Sequence, residues 1–113
     1  MALGAVLGAI GVALGALGAH ALKRWLEADQ LTTFDTGARY HLVHAVMVVV
    51  AASRSTRAAW AFVAGIALFS GSLYGLALTR IAAFGPITPL GGAAFIAGWL
   101  LLAHDALRNR GRG

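Results

Sequence analysis

Four apolar runs, at residues 2–22, about 37–53, 58–79 and about 88–104, take up most of this 113-residue chain. A helix rising about 1.5 Å per residue needs roughly 20 residues to cross a bilayer core about 30 Å thick. All four runs approach that length, the second and fourth at its short end. Strands are excluded, because alternation of polar and apolar positions is absent and an open sheet edge finds no hydrogen-bond partners in lipid. With 59% hydrophobic and 12% charged residues, the chain has too little polar surface for a soluble domain of this size. The expectation is one all-α domain over residues 1–113: an integral membrane bundle of four transmembrane helices, ending in a basic tail at 105–113.

The longest connection, KRWLEADQLTTFDTG at 23–37, places Leu22, Trp25, Leu26, Leu31 and Phe34 at helical spacing among charged and polar residues. That pattern predicts a short amphipathic segment at the membrane surface between helices one and two. Asp35 precedes Arg39 by one turn, the favourable order for a helical ion pair. Thr88 followed by Pro89 has the form of a hydroxyl cap and a first helical residue, which starts helix four near Leu90. AHA at 19–21 has the small-x-small form of a signal cleavage site. No basic residue precedes the first run, however, and the run exceeds a signal core, so it reads as a retained helix.

Helix one separates small from large residues around its axis. At 100° per residue, Gly4, Gly8, Gly11, Gly15 and Gly18 fall on one stripe and Ala2, Ala5, Ala9, Ala13 and Ala16 on the adjacent sector. Leu3, Val6, Leu7, Ile10, Leu14 and Leu17 fill the remainder. Small residues let helix backbones approach in lipid, which predicts helix one as the centre of the bundle with its leucines facing lipid. Helix three has a weaker small face in Ala61, Ala64, Gly65, Gly71, Ser72 and Gly75. Helix four adds Gly91, Ala94 and Gly98.

Alternating helix directions bring His20, Tyr40, His41, His44 and Tyr74 towards one side and leave His104 on the other. The first five form a candidate polar cluster in an apolar layer, whose hydrogen bonds would fix the register of helices one, two and three.

The segments GALGAHALK (15–23), RYHLVHA (39–45), SLYGLALT (72–79) and ITPLGGAAFIAGWLLLA (87–103) resemble the YgdD-like and YwdK-like small bacterial membrane proteins, a family of unknown function with mitochondrial relatives. The resemblance implies a four-helix inner-membrane protein. It marks His20, Tyr40, His41, His44, Tyr74, Thr88 and Pro89 as motif positions and assigns none of them a chemical role.

Three functional classes follow. The first is a non-catalytic accessory or self-associating bundle, whose partners are the lipid bilayer and a second copy or a larger membrane complex. The second is a small-solute or proton transporter, for which the histidines offer a relay but helix one offers no carboxylate. The third is a metal or haem subunit using His20, His41 and His44, although no cysteine or nearby glutamate completes a usual ligand set. The first is the reading adopted, with no cofactor, no metal and no enzymatic activity, since Ser70 and Ser72 lack the signature of an activated nucleophile. The net charge of +5 is spread over short loops and the tail, which argues against nucleic acid. Arg54, Arg57, Arg108, Arg110 and Arg112 on one side face Lys23, Arg24, Arg39 and Arg80 on the other, a slight bias that places both termini in the cytoplasm.

Overall fold

The computed structural model describes residues 2–110, with only the backbone of Arg110. The four helices are α1 (Ala2–His20), α2 (Ala28–Ala51), α3 (Thr56–Thr79) and α4 (Ile87–Arg110), with 3₁₀ turns at Leu22–Arg24 and Ala82–Phe84. Helices α1, α3 and α4 are long and apolar enough to cross a membrane. Helix α2 has 24 residues, about 36 Å at the helical rise, and differs in its first turns, which carry Asp29, Gln30 and Asp35. The protein is an all-helical membrane bundle of four helices. Arg112, part of the basic tail, lies outside the described residues.

Helix α2 starts at Ala28, ahead of the expected position near 37, so much of the polar connection is helix continuous with α2. A capping box explains the earlier start. The Gln30 side chain turns back and its Oε1 accepts the Glu27 N–H at 2.9 Å. Its Nε2 donates to the Ala77 carbonyl at 2.8 Å, so one side chain starts α2 and ties it to the end of α3. The hydroxyls of Thr32, Thr33 and Thr36 donate to carbonyls one turn back, which satisfies them without outside partners. The Asp35–Arg39 pair forms at 3.7 Å between side chains that are 63% and 73% exposed, and such a pair contributes little.

The helices pack in chain order: α1 against α2, α2 against α3, α3 against α4. The centre is therefore α2 together with α3, and the expectation that helix one is central is corrected. Among the described residues α1 buries Gly4 and Gly11, whereas α2 buries eight residues from Phe34 to Ala51. The α1–α2 seam still uses glycine. A Cβ built on Gly4, Gly11 or Gly18 would press on Val49, Leu42 or Phe34 respectively. As the glycine advances one heptad, its partner recedes by seven or eight, which is antiparallel register. Gly8 and Gly15 meet nothing within 4 Å. Leu7 and Leu14 turn inward between the contacting glycines and are half-buried, while Leu3, Val6, Ile10 and Leu17 are exposed as lipid-facing residues. The expected lipid-facing leucine stripe is thus split by the seven-residue spacing of the seam.

Helix α3 contains a π-helical turn at Ile66–Ser70, where the Gly71 N–H reaches the Ile66 carbonyl. Phe62, Ile66 and Ser70 are buried, and the Ser70 hydroxyl donates to the Gly37 carbonyl of α2 at 2.8 Å. Helices α3 and α4 approach closely at Gly91: a Cβ there would fall on the backbone of Phe69, which requires glycine. Gly98 lies against the Phe62 ring. Helix α4 begins at Ile87 instead of Leu90, and Thr88, expected to cap it, bonds the Ser72 hydroxyl instead. Helix α3 ends at Arg80, a non-glycine residue in the left-handed region (φ 56°) whose guanidinium bonds both carboxylate oxygens of Asp29 at 3.0 and 3.2 Å.

Candidate functional site: a closed polar layer

The buried polar side chains on α2 are His41 and His44, each 4% exposed. His41 lies about thirteen residues into α2, roughly 20 Å from its start, at the level of Leu7 on α1. Successive turns of one helix therefore present two imidazoles to the interior, His41 to α1 and α3, His44 to α3 and α4.

Both nitrogens of His41 are engaged. A backbone carbonyl can only accept, so Nε2–H donates to the Leu7 carbonyl of α1 at 2.8 Å. That leaves Nδ1 as the acceptor for the Tyr74 hydroxyl of α3, also at 2.8 Å. His44 takes the opposite tautomer. Its Nδ1–H donates to the Tyr40 carbonyl one turn back at 2.7 Å, and its Nε2 accepts the Trp99 indole N–H of α4 at 3.1 Å. Two neutral imidazoles thus use all four ring nitrogens and link all four helices. Among the described residues, no buried side-chain nitrogen or oxygen lacks a partner.

Aromatic rings enclose this layer. Phe95 stacks on His44 with centroids 3.6 Å apart and planes 12° from parallel. Phe62 packs against both His44 and Trp99, at 5.6 and 5.3 Å. Tyr40 packs against Phe69 at 4.8 Å, and Phe34 against Tyr74 at 4.9 Å. Glycine makes room for the rings: a Cβ on Gly65 would fall on Phe95, and one on Gly37 would crowd Tyr74.

The sequence-predicted residues separate into two groups. The structure brings together His41, His44 and Tyr74, with Tyr40 contributing its carbonyl and its ring. His20 stands apart, exposed at the end of α1. The early start of α2 is the cause, because it sets Phe34 opposite Gly18 and carries His41 down to the level of Leu7. Helix one reaches the layer through a main-chain carbonyl instead of an imidazole. Trp99 and Phe95 complete the layer and were not expected in it.

The chemistry open to the two histidines differs. If His41 accepted a proton, the Tyr74 hydroxyl could turn and become the acceptor. At His44 a second N–H would meet the Trp99 N–H, donor against donor, and the indole would have to move away. A metal at either imidazole would likewise have to displace Tyr74 or Trp99 from the lone pair it occupies.

Comparison with known proteins adds the family. A family described as "Protein of unknown function (DUF423)" matches residues 14–92, most of the chain. The chain belongs to the DUF423 family. The matched segment holds His20, Tyr40, His41, His44 and Tyr74, and stops short of Trp99. Among curated relatives, the UPF0382 membrane protein YwdK of Bacillus subtilis is 42% identical, the alignment covering 94% of each chain. The UPF0382 inner membrane protein YgdD of Escherichia coli K12 is 38% identical over 96% of this chain and 89% of its own. A UPF0382 membrane protein of Haemophilus influenzae is 39% identical over 88% and 86%. No solved structure matches the chain. This DUF423 member is accordingly a multi-pass membrane protein, and the relatives' names carry no activity.

Proposed function

We propose that this protein is a non-catalytic membrane bundle that acts by association, either with a second copy of itself or as an accessory subunit of a larger membrane complex. The observation that carries this reading is the closure of the polar layer: the lone pairs and N–H groups that a ligand or a metal would need are already used to hold the helices together. Such hydrogen bonds in membranes average about 0.6 kcal/mol, enough to fix register between smooth glycine and alanine surfaces.

The association surface on this reading is the outer side of α1. Ala2, Ala5, Ala9, Ala13 and Ala16 are exposed there, and Gly8 and Gly15 have open space around them. In lipid, a small-residue face lets a further helix approach closely. The chain has no cysteine, so single cysteines report on faces cleanly. Oxidation in native membranes should cross-link an Ala9→Cys variant, to itself or to a partner identified by mass spectrometry, and leave a Val46→Cys variant on the lipid face of α2 monomeric. Failure of Ala9→Cys to cross-link would overturn the reading, as would a stoichiometric metal or haem absorption that disappears in His44→Leu. The same proposal places the protein in the inner membrane with both termini cytoplasmic, supported by the arginines at 54, 57 and 108–112. A reporter fused at Gly113 should be active only if it works in the cytoplasm.

A further inference from the structure

The end of the bundle where α2 turns into α3 carries a feature with no part in the polar layer. A polar cleft of about 340 Å³ lies between the start of α3 and the end of α4, and Arg54, Arg57 and Arg108 line it. One carboxylate, Asp105, also lines it. That carboxylate is already engaged by the Ser55 hydroxyl and by Arg57, with the His104 imidazole 3.1 Å away. The cleft therefore has an excess of two positive charges, and Arg54 and Arg108 are the arginines free of the Asp105 latch.

A second cleft, of about 230 Å³ and mostly apolar, runs between α1, α2 and α3. Leu3, Val48, Ala52, Ala59, Trp60 and Val63 line it. Thr56 borders both clefts. From Thr56 to Val63 the groove descends about 10 Å at the helical rise, away from the charged loop and into the apolar layer. Trp60 stands 61% exposed at its side, within about 6 Å of Thr56 along the helix axis, where indole favours the water–lipid boundary.

A cationic cleft that shares Thr56 with a mostly apolar groove has the two-part chemistry of a glycerophospholipid. We propose that this face binds one anionic glycerophospholipid, with its phosphate between Arg54 and Arg108 and the upper part of an acyl chain in the groove beside Trp60. Charge complementarity favours an anionic head group over a zwitterionic one, because the excess of two positive charges has no amine to repel. The apolar groove favours lipid over free phosphate, since only a lipid fills both clefts. The Asp105–Arg57–Ser55 contacts hold the start of α3 against α4 and so keep the backbone that carries Arg54 close to the one that carries Arg108.

The test uses the purified full-length protein, titrated in detergent with phosphatidylglycerol or with phosphatidylcholine of the same acyl chains, with bound lipid read by native mass spectrometry. The wild type should retain one phosphatidylglycerol per chain and hold phosphatidylcholine more weakly. The double variant Arg54→Gln/Arg108→Gln should lose about thirty-fold in phosphatidylglycerol retention, the effect of two juxtamembrane charges. Both side chains are exposed, so its melting temperature should stay that of the wild type. Arg54→Lys/Arg108→Lys should keep most of the retention. Ala52→Phe, which fills the groove and leaves the charge intact, should weaken both lipids. Equal retention of the two lipids by the wild type, unchanged retention by the glutamine variant, or displacement of the lipid by inorganic phosphate would each overturn the proposal.

Discussion

Helices α1 and α2 invert the rule that holds in water. The run of α1 is the more apolar of the two, with no charged residue between Ala2 and His20, yet it lies at the margin of the bundle and buries Gly4 and Gly11. Helix α2 carries Asp29, Gln30, Asp35, Arg39 and two histidines, and it is the helix against which α1 and α3 pack. Lipid tails are as apolar as leucine, so transfer of a leucine from lipid to a helix contact gains little. Size and hydrogen bonding decide instead. Small residues go where backbones meet, and the two histidines go where partners exist, which is the interior, while Asp29, Asp35 and Arg39 stay exposed. The two kinds of contact are distributed unequally: α1 joins the bundle through glycines and one carbonyl, α2 through side-chain bonds to α1, α3 and α4.

This contrast can be broken most directly at glycine. Gly91→Val should destabilise by at least about 3 kcal/mol, the upper end of the overpacking range, because the new side chain falls on the Phe69 backbone and two helices must separate. A Cβ on Gly8 of α1 meets nothing within 4 Å, so Gly8→Ala should change stability by no more than about 0.5 kcal/mol. Thermal unfolding in detergent, followed by circular dichroism, compares the two. Similar losses would mean that α1 is as tightly enclosed as the α3–α4 seam, and the distinction between margin and centre would fall.

The fold class was legible in the four apolar runs, because run length against bilayer thickness is a strong constraint. The start of α2 was not. Its capping box uses Glu27 where Ser, Thr, Asp or Asn is the usual cap, and it lies in a segment whose polarity suggested a surface loop. That one displacement explains why His20 was expected in the cluster and is not there, while His41 and Tyr74, related by direction and depth alone, were expected together and do meet. Trp99 had no signal. Which way its indole points depends on the rotation of α4 against α3, and α3 carries a π turn at Ile66–Ser70 that no periodicity announces. The glycine stripe of α1 was half legible: its spacing identifies a seam, but only Gly4, Gly11 and Gly18 contact α2, and pattern alone does not separate them from Gly8 and Gly15.

The histidines sharpen the same comparison with a smaller effect. His44→Leu should destabilise by about 1–3 kcal/mol, because it takes the acceptor from the Trp99 N–H and removes the imidazole that packs on Phe62 and Phe95. His20→Leu at the exposed end of α1 should fall within about 0.5 kcal/mol of the wild type. A double-mutant cycle of His44→Leu with Trp99→Phe isolates the bond itself, and its coupling should lie between about 0.6 and 1.7 kcal/mol. A coupling near zero would show that packing of Phe95 and Phe62 on the imidazole, and not the hydrogen bond, holds α4 to α2.

The smallest effect belongs to the water-exposed latch between the first turn of α2 and the end of α3. The hydrogen bonds from Arg80, followed by its charge, hold the Asp29 carboxyl below its ordinary value of 3.8. A carboxyl whose folded pKa is depressed adds stability that is complete above the unfolded pKa and disappears as pH falls through the folded one. Both side chains are more than half exposed, at 69% and 54%, so solvent screens the pair and the contribution is small. Asp29→Asn removes the titrating group and keeps the shape. At about pH 6 the wild type should melt slightly above Asp29→Asn, and the gap should narrow as pH falls below about 4, where the unfolded carboxyl begins to take up its proton. A gap that persists or widens in acid would mean that the pair adds nothing and that the left-handed turn at Arg80 is held by the Gln30–Ala77 bond and the Thr79 hydroxyl alone.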